Sequence, residues 1–190
     1  CDRNINGGID NPYLTGSELK SQDYNTIFSE KFIEQLNHMY MCGNLGDPCV
    51  STESIYGFEY FRFTNFSMHL SMNTNGGAQS IDWWKKLGLI LGKSGHVTFS
   101  FDGLEDTNHL YRQNVNWNKC MENSYAFISA GGRARWEYII FEHNQHQIQE
   151  AKILAKKMGF EDFRTKKTGR FFSTVKHKGK EEHQGVNRKG

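Results

Sequence analysis

The stretch HVTFSFDGLEDTNHLYR, residues 96–112, joins a strand to a polar turn, and that arrangement recurs along the chain. Its opening residues are rich in β-branched and aromatic types (Val97, Thr98, Phe99, Phe101), which marks a strand over 96–102. The strand runs into Ser100, Asp102 and Gly103. Ser100 and Asp102 are two apart, so on a strand their side chains share one face. Arg112 follows after a short polar stretch.

Working outward, similar apolar runs mark strands at 38–42 (HMYMC), 67–73 (SMHLSMN), 134–141 (ARWEYIIF) and 160–164 (FEDFR). Helical patterns lie between them. TIFSEKFIEQL, residues 26–36, places Ile27, Phe28, Phe32, Ile33 and Leu36 on one side of a helix. Ser51, Thr52 and Glu53 suit the start of the next helix, and Ser80 suits the N-cap of one whose inner stripe is Trp84, Leu87 and Leu91. Residues 116–132 turn Trp117, Cys120, Met121, Phe127 and Ile128 inward and stop at Gly131 and Gly132. Residues 146–159 turn Ile148, Ala151, Ala155 and Met158 inward and stop at Gly159. Strand and helix alternating at about 30-residue steps predict βαβ units and a parallel sheet. Right-handed crossovers then give either a barrel with one helix layer or an open sheet with two, and the spacing does not choose.

Each strand end carries small or polar residues: GNLGDP after the first run, NTNGG after the second, SFDG in the third, EHN after the fourth. In a parallel α/β domain these ends lie on one face, where ligands bind. Turn residues are needed there in any case, but four such loops in order point to a composite ligand site.

Composition fits a soluble globular chain, with 37% hydrophobic and 23% charged residues in 190 and no apolar run of membrane-spanning length. The net charge of +2 is uneven. Residues 164–190 hold nine Lys/Arg against two Asp/Glu, while 1–163 hold fourteen against nineteen. The basic tail reads as a solvated linker or hairpin. It lacks the interleaved aromatics expected of nucleic-acid binding, so a nucleic-acid partner is not expected. Four cysteines (Cys1, Cys42, Cys49, Cys120) show no disulfide-scaffold density and fit a reducing cytoplasm. Cys42, read as the end of a buried strand, Cys49 and Cys120 read as ordinary thiols.

With the four loops in order, the chain resembles the radical SAM superfamily, and most of all its peptide-modifying, SPASM-type branch. The resemblance runs from Cys1 to about residue 165 and rests on CGNLGDP, NTNGG, FSFDGLEDTNHLYR and FEHNQHQIQEAKILAKKMGF. It implies an α/β fold, a partial parallel (β/α)6 TIM-like barrel. It also implies a 4Fe–4S cluster held by a C-x3-C-x2-C loop, and S-adenosylmethionine (SAM), from which a 5′-deoxyadenosyl radical is made to abstract hydrogen from a substrate. A peptide or protein substrate follows from the branch, and an electron donor such as flavodoxin or ferredoxin from the superfamily.

Carried over residue by residue, Cys1 resembles the last cluster cysteine. The other two, and the first barrel strand, are then expected upstream of this chain, which alone would be inactive. Gly43, Asn44, Gly46 and Asp47 resemble the motif that meets the SAM amino group. Thr74 and Asn75 stand in the TNG position beside the cofactor. Ser100 and Asp102 would point into the barrel, Ser100 toward the ribose or carboxylate, and Arg112 would pair with the carboxylate. One of Ile139, Ile140 and Phe141 would touch adenine. Residues 1–165 would form this core and 166–190 a basic linker or truncated extension, with no second cysteine-rich stretch for auxiliary clusters.

Two other functions are weighed from the residues. His143, His146 and Asp102 could hold a divalent metal for a hydrolase or lyase, although EHNQH also reads as a solvent-facing helix start with Asn144 as N-cap. A non-catalytic nucleoside-binding domain would keep the pocket without the cluster. A lipidated terminal cysteine would account for Cys1 but not for the loops.

Overall fold

The structure, a computed structural model, describes residues 4–5, 9–14, 16–43, 46–167, 172–177 and 180–185. Two short strands, β1 (Asn4–Ile5) and β2 (Ile9–Asp10), pair antiparallel. Then follow α1 (Ser21–Ile27), α2 (Glu30–Ile33), β3 (His38–Met41), α3 (Ser54–Thr64), β4 (His69–Thr74), α4 (Ile81–Leu91), β5 (Gly95–Ser100), α5 (Asn108–Tyr111), α6 (Trp117–Ser129), β6 (Ala134–Ile140), α7 (Ile148–Met158) and β7 (Asp162–Lys167). A separate antiparallel hairpin, β8 (Phe172–His177) and β9 (Lys180–Gly185), comes last.

The main sheet is parallel and its strand order is the chain order, β3-β4-β5-β6-β7. This settles what spacing left open. Every crossover steps the same way, and right-handed crossovers then put every helix on one face. The result is a partial β/α barrel rather than a doubly wound sheet.

Register assigns the two faces. Phe99 packs on Trp84 of α4 (ring centroids 5.3 Å apart) and on Phe127 of α6 (6.0 Å). Its face therefore meets the helices, together with Leu70, Met72, Val97, Trp136 and Tyr138, all fully buried. Burial of each such side chain stabilises the fold by about 1.5–3 kcal/mol. The opposite face is polar: Tyr40 pairs with Ser71, Asn73 with Thr98, Ser100 with Glu137, and Glu137 with Arg164. Low on this face, Arg135 Nη1 lies 3.1 Å from His96 Nε2, and His96 Nδ1 lies 2.8 Å from His69 Nε2.

Ser80 caps α4 as expected, accepting from Trp83 N–H, and Gly159 ends α7 at φ 91°, a left-handed conformation that glycine adopts without strain. Two expectations fail locally. The helix over 26–36 breaks at Phe28, because Ser29 takes extended φ/ψ and caps a new helix through Phe32 N–H. Ile27 and Phe32 are left outside at 57% and 46% exposure. The start of α3 falls where expected, with Glu53 at the N-cap position, and Glu53 Oε2 accepts from Ser21 N–H at 3.1 Å, tying α1 to α3. Cys42 is exposed rather than buried, since β3 is an edge strand whose residues alternate outward.

Arg62 joins α3 to α4. It is nearly buried and has no carboxylate partner among the described residues. Its five donors reach the carbonyls of Ile90, Phe66, Met68, Leu91 and Ser94 at 2.7–3.4 Å. These carbonyls cluster where α3 and α4 end, so the cation sits at the negative poles of both helices.

Candidate functional site

The loops that follow β3, β4, β5 and β6 lie along the C-terminal edge of the sheet and are fastened in two pairs, the first to the second and the third to the fourth. Asp47, in the first loop, accepts from Thr74 Oγ1 at 2.7 Å and from Asn75 N–H at 2.7 Å. It also accepts from Cys49 N–H at 3.0 Å. The carboxylate thus fixes its own loop to the end of β4. A carboxylate has about four acceptor positions, so one remains on Oδ2. Thr74 is buried, and its hydroxyl also accepts from Gly76 N–H at 3.0 Å. Asn75 Oδ1 accepts from Gly77 N–H at 2.8 Å.

From the far side, α6 holds the second loop. Cys120 Sγ donates to Asn75 O at 3.2 Å, and Asn123 Nδ2 reaches Gly76 O and Ala78 O at 2.8 and 3.1 Å. The third and fourth loops are joined by Asn144, Gln147 and Thr107. Asn144 Nδ2 donates to Asp102 O and to Ile139 O, both at 2.9 Å. Gln147 binds Asp106 Oδ1 at 2.7 Å and accepts from Leu104 N–H at 3.1 Å and from the Thr107 hydroxyl. Asn144 is therefore fully buried and makes no cap, contrary to the solvent-facing N-cap expected of it.

Asp102 is also sealed from solvent. It lies 2.6 Å from Arg112 Nε and accepts from Ile139 N–H at 2.5 Å. Burial pushes its carboxyl above the ordinary range, and Arg112 and the Ile139 N–H oppose that rise. Ser100 sits half-buried on the polar face of β5, and no described group bonds its hydroxyl. Ile139 shares that face with Lys166, whereas Phe141 is fully buried beneath Tyr111 and His143.

A cavity of about 860 Å³ opens over the first loop. Gly43, Gly46 and Asp47 line it with Tyr40 and Cys42, and Asn11, Leu14 and residues 16–19 close one side. This volume is in the usual range for a small-molecule site. Gly43 is packed so closely on the Gly46 carbonyl that a β-carbon would overlap it, so the loop presents backbone to the cavity.

Asn44 and Cys1 lie outside the described residues. The other predicted residues divide into two groups: Gly43, Gly46, Asp47, Thr74 and Asn75 around the first two loops, and Ser100, Asp102 and Arg112 around the third. Sequence reasoning missed Asn123, Asn144 and Gln147, which hold these loops. Asn144 and Gln147 stand in the polar turn after the fourth run, and no local signal marks Asn123 in the middle of α6.

The donor set fits the polar end of S-adenosylmethionine: a guanidinium for a carboxylate, and a carboxylate with loop carbonyls for an ammonium. The described cysteines do not fit a 4Fe–4S cluster. Burial pushes the Cys49 and Cys120 thiols up to about 12, and Cys42 stands apart on the edge strand. Nor are His143, His146 and Asp102 brought together for a metal. His143 stacks on Phe141 at 5.3 Å, His146 is exposed and Asp102 is occupied by Arg112. Among the described residues no group of three or more His, Cys, Asp and Glu could hold an ion.

Comparison with solved structures identifies the architecture. The chain overlays Streptococcus suis SuiB bound to S-adenosylmethionine with a TM-score of 0.63 at 13% identity, over 78% of this chain and 34% of that one. The chain shares the fold of radical SAM enzymes. SuiB bound to its precursor peptide SuiA matches at 0.62 and 13% identity, over 84% of this chain and 34% of that one. Native anSMEcpe with bound AdoMet and Kp18Cys peptide matches at 0.56 and 15%, over 73% and 40%. The chain thus spans between a third and two-fifths of the length of these structures. No protein-family model and no curated protein matches the sequence. No helix among the described residues is long and apolar enough to cross a membrane.

Proposed function

We propose that this chain is the S-adenosylmethionine-holding part of a radical SAM enzyme that modifies a peptide or protein. The observation that carries it is the Arg112 fork at the same barrel edge as the Asp47 loop, in a fold whose solved examples bind SAM and peptides. In this reading Arg112 holds the carboxylate of SAM, and the open Oδ2 position of Asp47 with the backbone of Gly43 and Gly46 meets its ammonium. Ser100 offers a hydroxyl to the ribose or carboxylate, and Ile139 an apolar contact to adenine. Thr74 and Asn75 keep the Asp47 loop in place. The peptide would lie on the polar sheet face beneath. In that family a 4Fe–4S cluster supplies the electron that splits SAM; no described residue ligates it, and Cys1 is the residue proposed to. The domain division at about residue 165, a cytoplasmic location and a flavodoxin- or ferredoxin-type electron donor belong to the same proposal.

The test is anaerobic iron and sulfide reconstitution of the chain together with any coding sequence preceding Cys1, followed by reduction with dithionite in the presence of SAM. The expected products are 5′-deoxyadenosine and methionine, lost on Cys1→Ala. SAM binding without cleavage would favour the non-catalytic nucleoside-binding alternative. Absence of SAM binding would end the proposal.

A further inference from the structure

Asp102 and Arg112 were both expected to touch the cofactor, but their surroundings give them different tasks. Asp102 is fully buried, and each carboxylate oxygen and both backbone polar groups hold a partner. Its Oδ2 meets Arg112 Nε at 2.6 Å and its Oδ1 meets Ile139 N–H at 2.5 Å. Its own N–H donates to Asn108 Oδ1 at 2.8 Å, and its carbonyl accepts from Asn144 Nδ2 at 2.9 Å. Two acceptor positions of the carboxylate stay unused, but with its side chain at 0% exposure no ligand reaches them.

Arg112 is the complement. Its side chain is 26% exposed, its Nε is taken by Asp102, and its Cζ lies 5.2 Å from the Tyr111 ring centroid. Nη1 and Nη2 make no hydrogen bond to any described residue. A guanidinium bonded through Nε presents Nη1 and Nη2 as two parallel donors at its far end, the geometry that matches a carboxylate. Left alone on a solvent-exposed loop, a long arginine side chain would sample many rotamers, and ordering it on binding would weaken the ligand.

We propose that Asp102 is a positioning residue that acts only through Arg112: it fixes the guanidinium so that its end-on fork receives the carboxylate of the amino-acid portion of SAM. This rests on the proposed SAM site and assigns a role within it. Asp102 therefore selects for the amino-acid end of the ligand and is indifferent to the nucleoside.

The test compares two probes, S-adenosylmethionine and 5′-methylthioadenosine, which keeps the nucleoside and lacks the amino-acid end. Dissociation constants are measured by calorimetry for the wild type, Asp102→Asn, Arg112→Ala and the double variant. Asp102→Asn is expected to weaken SAM about tenfold and to leave methylthioadenosine within twofold. The double variant should bind SAM no more weakly than Arg112→Ala. Equal weakening of both probes by Asp102→Asn would mean a merely structural role and overturns the inference. Failure of the wild type to bind either probe overturns the site itself.

Should Asp102→Asn not fold, the wild type still decides. The Arg112 Nε–H resonance should be protected from exchange in the free protein, and added SAM should shift the Nη signals while leaving the Asp102 carboxyl carbon in place. Free exchange of Nε–H, or a direct shift of the Asp102 carboxyl, overturns the inference.

Discussion

Thr74→Val isolates the lock between the first two loops. Valine keeps the shape of threonine, so the buried position gains no cavity and loses only the hydroxyl. Three contacts go with it: donation to Asp47 Oδ1 at 2.7 Å, acceptance from Gly76 N–H at 3.0 Å, and a weaker contact with Cys49 Sγ at 3.1 Å. A hydrogen bond to a charged partner is worth about 1.5–3 kcal/mol, and a buried N–H left without an acceptor costs about 1–3 kcal/mol. Asp47 keeps Asn75 and Cys49 as donors, which limits the damage on that side. The expected loss is about 3 kcal/mol. With a urea m-value of about 2 kcal/mol/M this lowers the unfolding midpoint by about 1.5 M, with m unchanged. Because the freed loop also lines the cavity, SAM affinity should fall about tenfold. Asp47→Asn and the double variant complete a cycle whose coupling energy is expected at about 1–2 kcal/mol. A midpoint shift below about 0.3 M, or strict additivity, would refute the lock.

Arg62→Met should destabilise the fold by about 3–5 kcal/mol, because it orphans carbonyls at two helix ends, and Arg62→Lys should recover less than half in the same urea assay. The Arg135–His96–His69 chain has a fixed polarity: arginine only donates, so His96 Nε2 accepts, its Nδ1–H donates, and His69 Nε2 accepts in turn. Both rings are therefore neutral Nδ1–H tautomers, a pattern that ¹⁵N shifts of the imidazoles read directly. Burial, with Arg135 second, lowers His96 to about 4; burial also lowers His69, with His38, Arg133, Arg135 and Arg62 adding to it, while Glu161 opposes at His96. The unfolded chain then binds the extra proton first, so stability is full above pH 6.5 and falls between 6.5 and about 4. After discounting for the half-exposed site, the loss is about 1–2 kcal/mol, and His96→Asn should flatten that limb. Among the described cysteines, Cys42 should react with a disulfide reagent at pH 8 at least a hundredfold faster than Cys49 or Cys120, whose burial keeps them protonated.

The strands were legible because each alternates or runs apolar and then breaks at a polar turn. Their predicted positions lie within a few residues of β3 to β7. The polar face of the sheet was half-legible: Ser100 was read as inward, but Tyr40, Ser71, Asn73 and Thr98 only gain meaning once register sets them side by side. What escaped was long-range. Nothing near Arg62 shows that five carbonyls await it, since those belong to segments that only the fold gathers. Asn144 looks like a cap because caps are local, whereas its partners Asp102 and Ile139 belong to two strand ends. The motif places Asp102 at the strand end, but its partners Arg112 Nε and Ile139 N–H are supplied only by the fold. The break at Ser29 escaped because apolar spacing carried on through it.

The central claim is that SAM binds at the C-terminal edge of the sheet. It is tested most directly by following the backbone amide resonances of the chain as SAM is added. The account predicts saturable shifts concentrated at Gly43, Gly46, Asp47, Asn75 to Gly77, Gly103, Arg112 and Ile139, with the amides around His38, His69 and His96 unmoved. Shifts centred on that opposite end of the strands, or none at millimolar SAM, would contradict it.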